Sequence, residues 1–284
     1  MHWLNEFLKF CRPVSRLTGS EWADAKRFIS LGTTAEPGPW RTYRTPYLQE
    51  PLDAATDKTT EKVVLMCASQ LGKSELLLNV LGYYADQEPS PQLMLQPTVE
   101  MAQAFSKERI APMFRDSPGL AGKLIEGKEG RGTEKKSSTT ILMKHYPGGF
   151  LALVGANSPA GLASRPIRIL LADEVDRYPE SAGKEGDPLK LAVQRTQNFG
   201  NRKLLMVSTP TVVGYSKIHR EFLAGDQREF VVQCPECKAY NELKWENVHW
   251  ESDDKGNVIE SSVGLFCPNK PEVLPCPSRK ARNP

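Results

Sequence analysis

The chain reads as a mixed α/β protein built on a mostly parallel sheet covered by helices, followed by a small cysteine-containing appendage. Three observations predict this. Short apolar runs alternate with helical stretches along most of the chain, and strands joined through helices are joined by crossovers, hence parallel. The runs are continuous rather than alternating, as in strands buried on both faces. Beyond about residue 226 the pattern changes to short strands and paired cysteines.

The elements follow in order. Residues 1–17 form an amphipathic lead carrying Trp3, Leu4, Phe7, Leu8 and Phe10, broken by Arg12-Pro13. Thr18 with Glu21 makes a capping box and predicts a helix of roughly three turns through Trp22, Ala25 and Phe28. The turn-rich Glu36-Pro37-Gly38-Pro39 reads as a stiff linker, so residues 1–40 are set apart from a domain over 41–226. Within that domain, 63–68 predicts a strand and 72–85 a helix. A strand over 93–96 precedes a helix over 98–114, with Met101, Phe105 and Ile110 on one face. Two short strands, 141–146 and 150–155, flank Pro147-Gly148-Gly149. A strand over 167–172, a helix over 188–199, a strand over 204–208 and a helix over 215–223 complete it. The Gly- and charge-rich stretch 126–138 reads as a surface loop. A third segment, 227–284, is β-rich and carries cysteines.

The chain has 284 residues, 37 Lys+Arg against 34 Asp+Glu, and a net charge of +3. Hydrophobic residues make up 39% and charged residues 25%, enough for a sizeable core. A disordered tail, a collagen-like rod and a disulfide-dense toxin are excluded. No apolar run is long enough for a transmembrane helix, and the start lacks a secretory signal.

Three strand ends carry chemistry. The first runs from Val63 to Ser74 and ends in Gly72-Lys73-Ser74. A phosphate-binding loop needs GxxxxGK[ST] between a strand and a helix, and here Cys67 replaces the first glycine. Backbone N–H groups cradle phosphates, Lys73 reaches the β/γ-phosphates, Ser74 ligates Mg²⁺, and Gly72 lets the backbone approach. Gln70 lies in the same loop. The second strand, 168–172, ends in Asp173-Glu174. In a phosphate-loop enzyme the first carboxylate holds Mg²⁺ and the second activates water, the two diverging because alternate residues of an extended end point apart. Asp176 and Arg177 read as local salt-bridge or helix-entry residues. The third strand ends in Ser208-Thr209-Pro210-Thr211, whose hydroxyls can sense the γ-phosphate.

The combination resembles the large subunit of bacteriophage terminase, of the lambda type. The resemblance is carried by 41–47, 67–74, Pro97-Thr98 with the following helix, 155–166, 172–179 and 208–211, and covers about residues 18–250. It implies a RecA-like (ASCE) P-loop fold, acting as an ATPase motor that drives double-stranded viral DNA into a procapsid. It further implies a small terminase subunit, for which the N-terminal lead is the natural binding place. The portal of the procapsid and a ring of like subunits complete the set of partners, in the host bacterial cytoplasm. By the resemblance Ser208, Thr209 and Thr211 couple hydrolysis to DNA movement, Tyr43 or Tyr47 stacks near the adenine, and Arg165 stabilises charge in cis or from a neighbouring subunit. The family's nuclease domain is expected to be missing, since only some 60 residues follow Leu223, so no DNA cleavage is expected from this chain. A helicase-like translocase and a non-catalytic truncated remnant are the alternative readings.

The cysteines offer a further site. Cys234, Cys237, Cys267 and Cys276 are spaced C-x₂-C-x₂₉-C-x₈-C, and Zn²⁺ held by these four, or with His249 in place of one, is the expectation. Lys270 stands where a second knuckle needs cysteine, so the tail reads as altered or truncated. The charge fits this picture. Removing Arg279, Lys280 and Arg282 leaves 34 bases against 34 acids, so the bulk of the chain is neutral. DNA contact then rests on local patches such as 123–136.

Overall fold

The computed structural model describes residues 16–32, 36–125, 139–163 and 165–269. The N-terminal lead over 1–15, the basic loop over 126–138, Cys276 and the basic tail lie outside the described residues. The chain divides into two compact units, Met1–Gly225 and Asp226–Pro284.

The first unit is built on a six-stranded sheet. Its strands are β1 (Lys62–Met66), β2 (Gln92–Gln96), β3 (Met143–Tyr146), β4 (Gly149–Gly155), β5 (Ile169–Asp173) and β6 (Lys203–Ser208). The order is β1-β6-β5-β2-β4-β3, parallel throughout except for the antiparallel edge pair β3–β4. β6 stands between β1 and β5. Helices cover both faces, as continuous apolar strands require. Ile169, Leu171, Leu205 and Val207 face α3 (Lys73–Asp86) and α2 (Gln49–Thr56). Leu170, Ala172, Leu204 and Met206 face α7 (Pro188–Gln194) and α8 (Lys217–Leu223) through Leu189, Ala192 and Ile218.

Several local expectations shift. The capping box at Thr18 forms in both directions, and α1 (Gly19–Lys26) follows it. The helix stops before Phe28, which pairs with Pro39 in a two-residue ladder, so 36–39 is partly a strand partner rather than a plain linker. Nor does α1 belong to a lead apart from the core. Trp22 is fully buried against α3, and a Cβ on Gly82 would meet its ring at 2.3 Å. Only glycine permits that approach.

The expected continuous helix over 98–114 is broken. Thr98 caps α4 (Val99–Phe105), a π-turn follows over Ser106–Ile110, and α5 (Ala111–Asp116) resumes. Pro112 explains the break, because it has no N–H to donate and its ring crowds the carbonyl four residues back. The slip separates the expected face: Ile110 is fully buried, whereas Met101 is exposed. The helix expected over 215–223 starts at Lys217, because the Ser216 hydroxyl caps it by accepting from His219 N–H. No helix among the described residues is long and apolar enough to cross a membrane.

Candidate active site

Parallel strands deliver their C-terminal ends to one edge of the sheet, and crevices there are where such folds bind ligands. Three of these ends, β1, β6 and β5, are adjacent and carry the groups singled out above.

The loop after β1 begins with Cys67, whose N–H donates to Ser208 O and extends the ladder to β6. Cys67 does not have positive φ, so the position needs no glycine. Its half-buried thiol is pushed up, chiefly by burial, with Lys73 opposing and Glu174 adding to the shift. It is therefore a poor nucleophile. Gln70 and Gly72 take left-handed backbone, at φ 63° and 78°, and turn the chain into α3. Gly72 is doubly constrained, since a Cβ there would also stand 2.9 Å from Leu48.

Lys73 opens α3 and is only 5% exposed. Its ammonium donates to Ala68 O at 2.9 Å and to Thr209 Oγ1 at 2.7 Å, and lies 3.8 Å from Glu174 Oε1. One cation thus ties together the phosphate loop, the third strand end and the acidic pair. Ser74, the next residue, is half-buried in the first turn of α3.

The two carboxylates diverge, but not by strand alternation. Asp173 ends β5 and is 4% exposed, while Glu174 takes left-handed backbone at φ 52°. That conformation is uncommon and costly for a residue with a side chain, and residues held so cluster at functional sites. It swings Glu174 between Lys73 and the Arg177 guanidinium, 3.5 Å away. Arg177 is therefore a partner of the second carboxylate, as its reading as a salt-bridge residue anticipated.

Asp173 accepts from Gln96 Nε2 at 3.1 Å through Oδ2, and its Oδ1 has no hydrogen-bond partner. An orphaned buried carboxylate oxygen, with the Ser74 hydroxyl on the neighbouring helix, is the hard-oxygen donor chemistry that Mg²⁺ selects. Burial pushes the Asp173 carboxyl up from 3.8 to about 6, partly offset by Gln96 and Lys73, with Glu174 adding to the rise. A carboxyl with a raised folded pKa holds its proton more tightly in the native state. Stability therefore falls as pH rises from about 4 to about 6, and the loss at neutral pH is on the order of 3 kcal/mol. Asp173→Asn is expected to unfold at a higher temperature than the parent at pH 7, with the difference closing by pH 4. Calorimetry at the two pH values checks this, and equal shifts at both would contradict it.

Sequence reasoning missed the role of Asp176. Its carboxylate accepts from Thr211 N–H at 2.9 Å, Thr211 Oγ1 at 3.0 Å and the Ile218 N–H at 2.7 Å, while its own N–H donates to Ser208 Oγ at 3.2 Å. Burial raises its pKa less than these hydrogen bonds lower it, so it is held below the usual carboxylate range. Asp176 thus fastens the acidic loop to Ser208, Thr211 and the start of α8. The only sequence signal was a carboxylate three residues beyond a strand end.

The other expected residues divide. Tyr47 lies in the single turn Pro46–Leu48, whose Leu48 packs on Gly72, and its hydroxyl is pushed up by burial and by the nearby Cys67. It stands beside the phosphate loop. Tyr43 is 74% exposed.

Arg165 is not brought to its own phosphate loop. Its guanidinium sits 3.4 Å from Met143 Sδ and over the Phe150 ring, on the edge pair β3–β4. That edge is five strand spacings from β1, roughly 24 Å. Phe150 also lies toward the start of β4, away from the strand ends that carry the site. In this structure Arg165 therefore makes no contact with its own phosphate loop.

In the second unit, Cys234, Cys237 and Cys267 converge, their sulfurs all within 4.8 Å of one another. His249 is not among them; its ring packs edge-on against Phe266.

Residues 34–281 match the family model described as the phage terminase large subunit gpA, ATPase domain. Terminase large subunits of Enterobacteria phage P21 and Escherichia phage lambda are 25% and 26% identical over 253 residues. These alignments cover 86% and 85% of this chain, which spans 38% of the length of either relative. Among solved structures, the large terminase ATPase domain of Thermus phage P74-26 aligns with a TM-score of 0.43 at 16% identity, covering 67% of this chain and 75% of that one.

Proposed function

We propose, from the premise that this chain belongs to the phage terminase large subunit gpA ATPase-domain family, that it hydrolyses ATP to drive double-stranded viral DNA into procapsids. The observation that carries the reading is the position of the Lys73 ammonium, in contact with the phosphate loop, Thr209 and Glu174 at once.

On this reading Gly72, Lys73 and the first turn of α3 bind the β- and γ-phosphates through backbone N–H groups and one buried cation. Ser74 and Asp173 would hold Mg²⁺, which when bound neutralises charge on the phosphate oxygens. Glu174 orients the attacking water and accepts its proton, while Lys73 faces the charge that develops on the leaving side. Tyr47, beside the loop, is the better placed of the two tyrosines to meet the base.

Loss of the γ-phosphate is reported through Thr209, which shares Lys73 with the nucleotide. Asp176 transmits it, being bonded to Ser208, Thr211 and the α8 backbone. Arg165, on the far edge of the sheet, acts toward a neighbouring subunit, which makes a ring of like chains part of the reading. Viral DNA, the small terminase subunit and the portal are its partners, in the bacterial cytoplasm.

The test is ATP turnover by the purified chain with and without linear double-stranded DNA. Turnover is expected in both cases and is expected to rise several-fold with DNA. No turnover above background would overturn the reading, and turnover indifferent to DNA would overturn the packaging part of it.

A further inference from the structure

The second unit contains a site that the nucleotide chemistry does not use. Cys234-Pro-Glu-Cys237 lies between two short antiparallel strands, β7 (Val231–Gln233) and β8 (Tyr240–Glu242), whose register pairs Gln233 with Tyr240. The connection is a tight knuckle. Lys238 N–H donates to Cys234 O at 3.0 Å, Cys234 N–H to Ala239 O at 2.9 Å, and Lys238 takes left-handed backbone at φ 62°.

The third cysteine comes from elsewhere in the unit. Cys267 follows β10 (Gly264–Leu265), which pairs with β9 (Val248–His249). Its sulfur lies 3.5 Å from that of Cys237, and the Asn241 amide donates to it at 3.7 Å.

Three chemistries can be compared against this geometry. A disulfide needs sulfurs at about 2.05 Å, and the three cysteines are free. A redox Cys-x-x-Cys opens a helix after a strand, whereas this one is the turn of a hairpin. A tetrahedral zinc site with bonds of about 2.3 Å sets its sulfurs about 3.8 Å apart. The cluster, with one pair at 3.5 Å and all within 4.8 Å, matches that spacing. The Asn241 amide, which donates to the Cys267 sulfur at 3.7 Å, favours the charged thiolate there.

We propose that Cys234, Cys237 and Cys267 bind one Zn²⁺ as thiolates, their protons passing to solvent as the ion enters, with water in the fourth position. The ion would tie the β7–β8 hairpin to the segment after β10. In a unit with few buried side chains, such a site supplies folding energy directly.

The experiment is metal analysis of the purified full chain, parent beside Cys237→Ser and Cys267→Ser, repeated after replacement with Co²⁺. The parent is expected to hold about one equivalent of zinc, and the cobalt form to show thiolate-to-metal charge-transfer absorption. Both variants are expected to fall below half an equivalent and to lose that absorption. Nucleotide binding by the first unit, measured on the same samples, reports that this unit is folded in the variants, so the metal result reads separately from the ATPase reading. Zinc below half an equivalent in the parent would overturn the proposal. So would variants that hold as much zinc as the parent, or a Cys237–Cys267 disulfide found by mass spectrometry in the freshly purified chain.

Discussion

Lys73→Ala is expected to abolish nucleotide affinity in practical terms, with Kd rising about a hundredfold or more. The side chain is buried and makes two hydrogen bonds and one ion pair, so its charge is already desolvated. A hydrogen bond to a charged group contributes about 1.5–3 kcal/mol, and the upper figure alone is roughly a hundredfold in Kd. Removing it also leaves Asp173 and Glu174 without the cation that offsets their charge, and phosphate would then enter a net negative site. Titration with a fluorescent ATP analogue checks this. Affinity within threefold of the parent would show that nucleotide does not sit on this loop.

Glu174→Gln has the opposite signature. Glutamine keeps the size and most of the shape of the side chain, so binding should stay within a few-fold of the parent. It cannot accept a proton, however, and general-base assistance contributes typically 10²–10⁴-fold. Turnover is expected to drop by about that range, with ATP still held. The left-handed backbone at position 174 is expected to persist, because it is set by the turn into Val175–Arg177 and not by the charge. Loss of binding together with turnover would instead place Glu174 in the phosphate-holding set.

Most of the fold was legible in the sequence, for a physical reason. The strands are buried on both faces, so each reads as an unbroken apolar run, and the clustered polar groups sit where these runs stop. Gly72-Lys73-Ser74, Asp173-Glu174 and Ser208–Thr211 were legible because strand ends in a parallel sheet converge without any need to know the loops.

What was not legible depends on contacts that no local pattern carries. Strand order puts Arg165 on the edge opposite its own phosphate loop, and order is a property of crossovers, not of the strands themselves. Asp176 acts through partners 35 and 42 residues away, so it looked like any polar residue after a strand. The π-turn over Ser106–Ile110 arises from Pro112 inside an otherwise helical period, and it turned the expected face of Met101 outward. The divergence of Asp173 and Glu174 was expected from alternation, whereas a left-handed residue produces it.

The relatives also bear on scale. This chain spans 38% of their length. On the proposed function, the near balance of charge leaves DNA contact to local patches and to the arrangement of several copies.

The central claim is that one cluster of groups, centred on Lys73 and Glu174, cleaves the γ-phosphate. The measurement that tests it most directly is phosphate release in a single turnover, with protein in excess over ATP, for the parent and Glu174→Gln side by side. This isolates the chemical step from product release. The parent is expected to convert its bound ATP, while the variant holds it uncleaved over the same interval. Equal conversion by the two proteins would contradict the account.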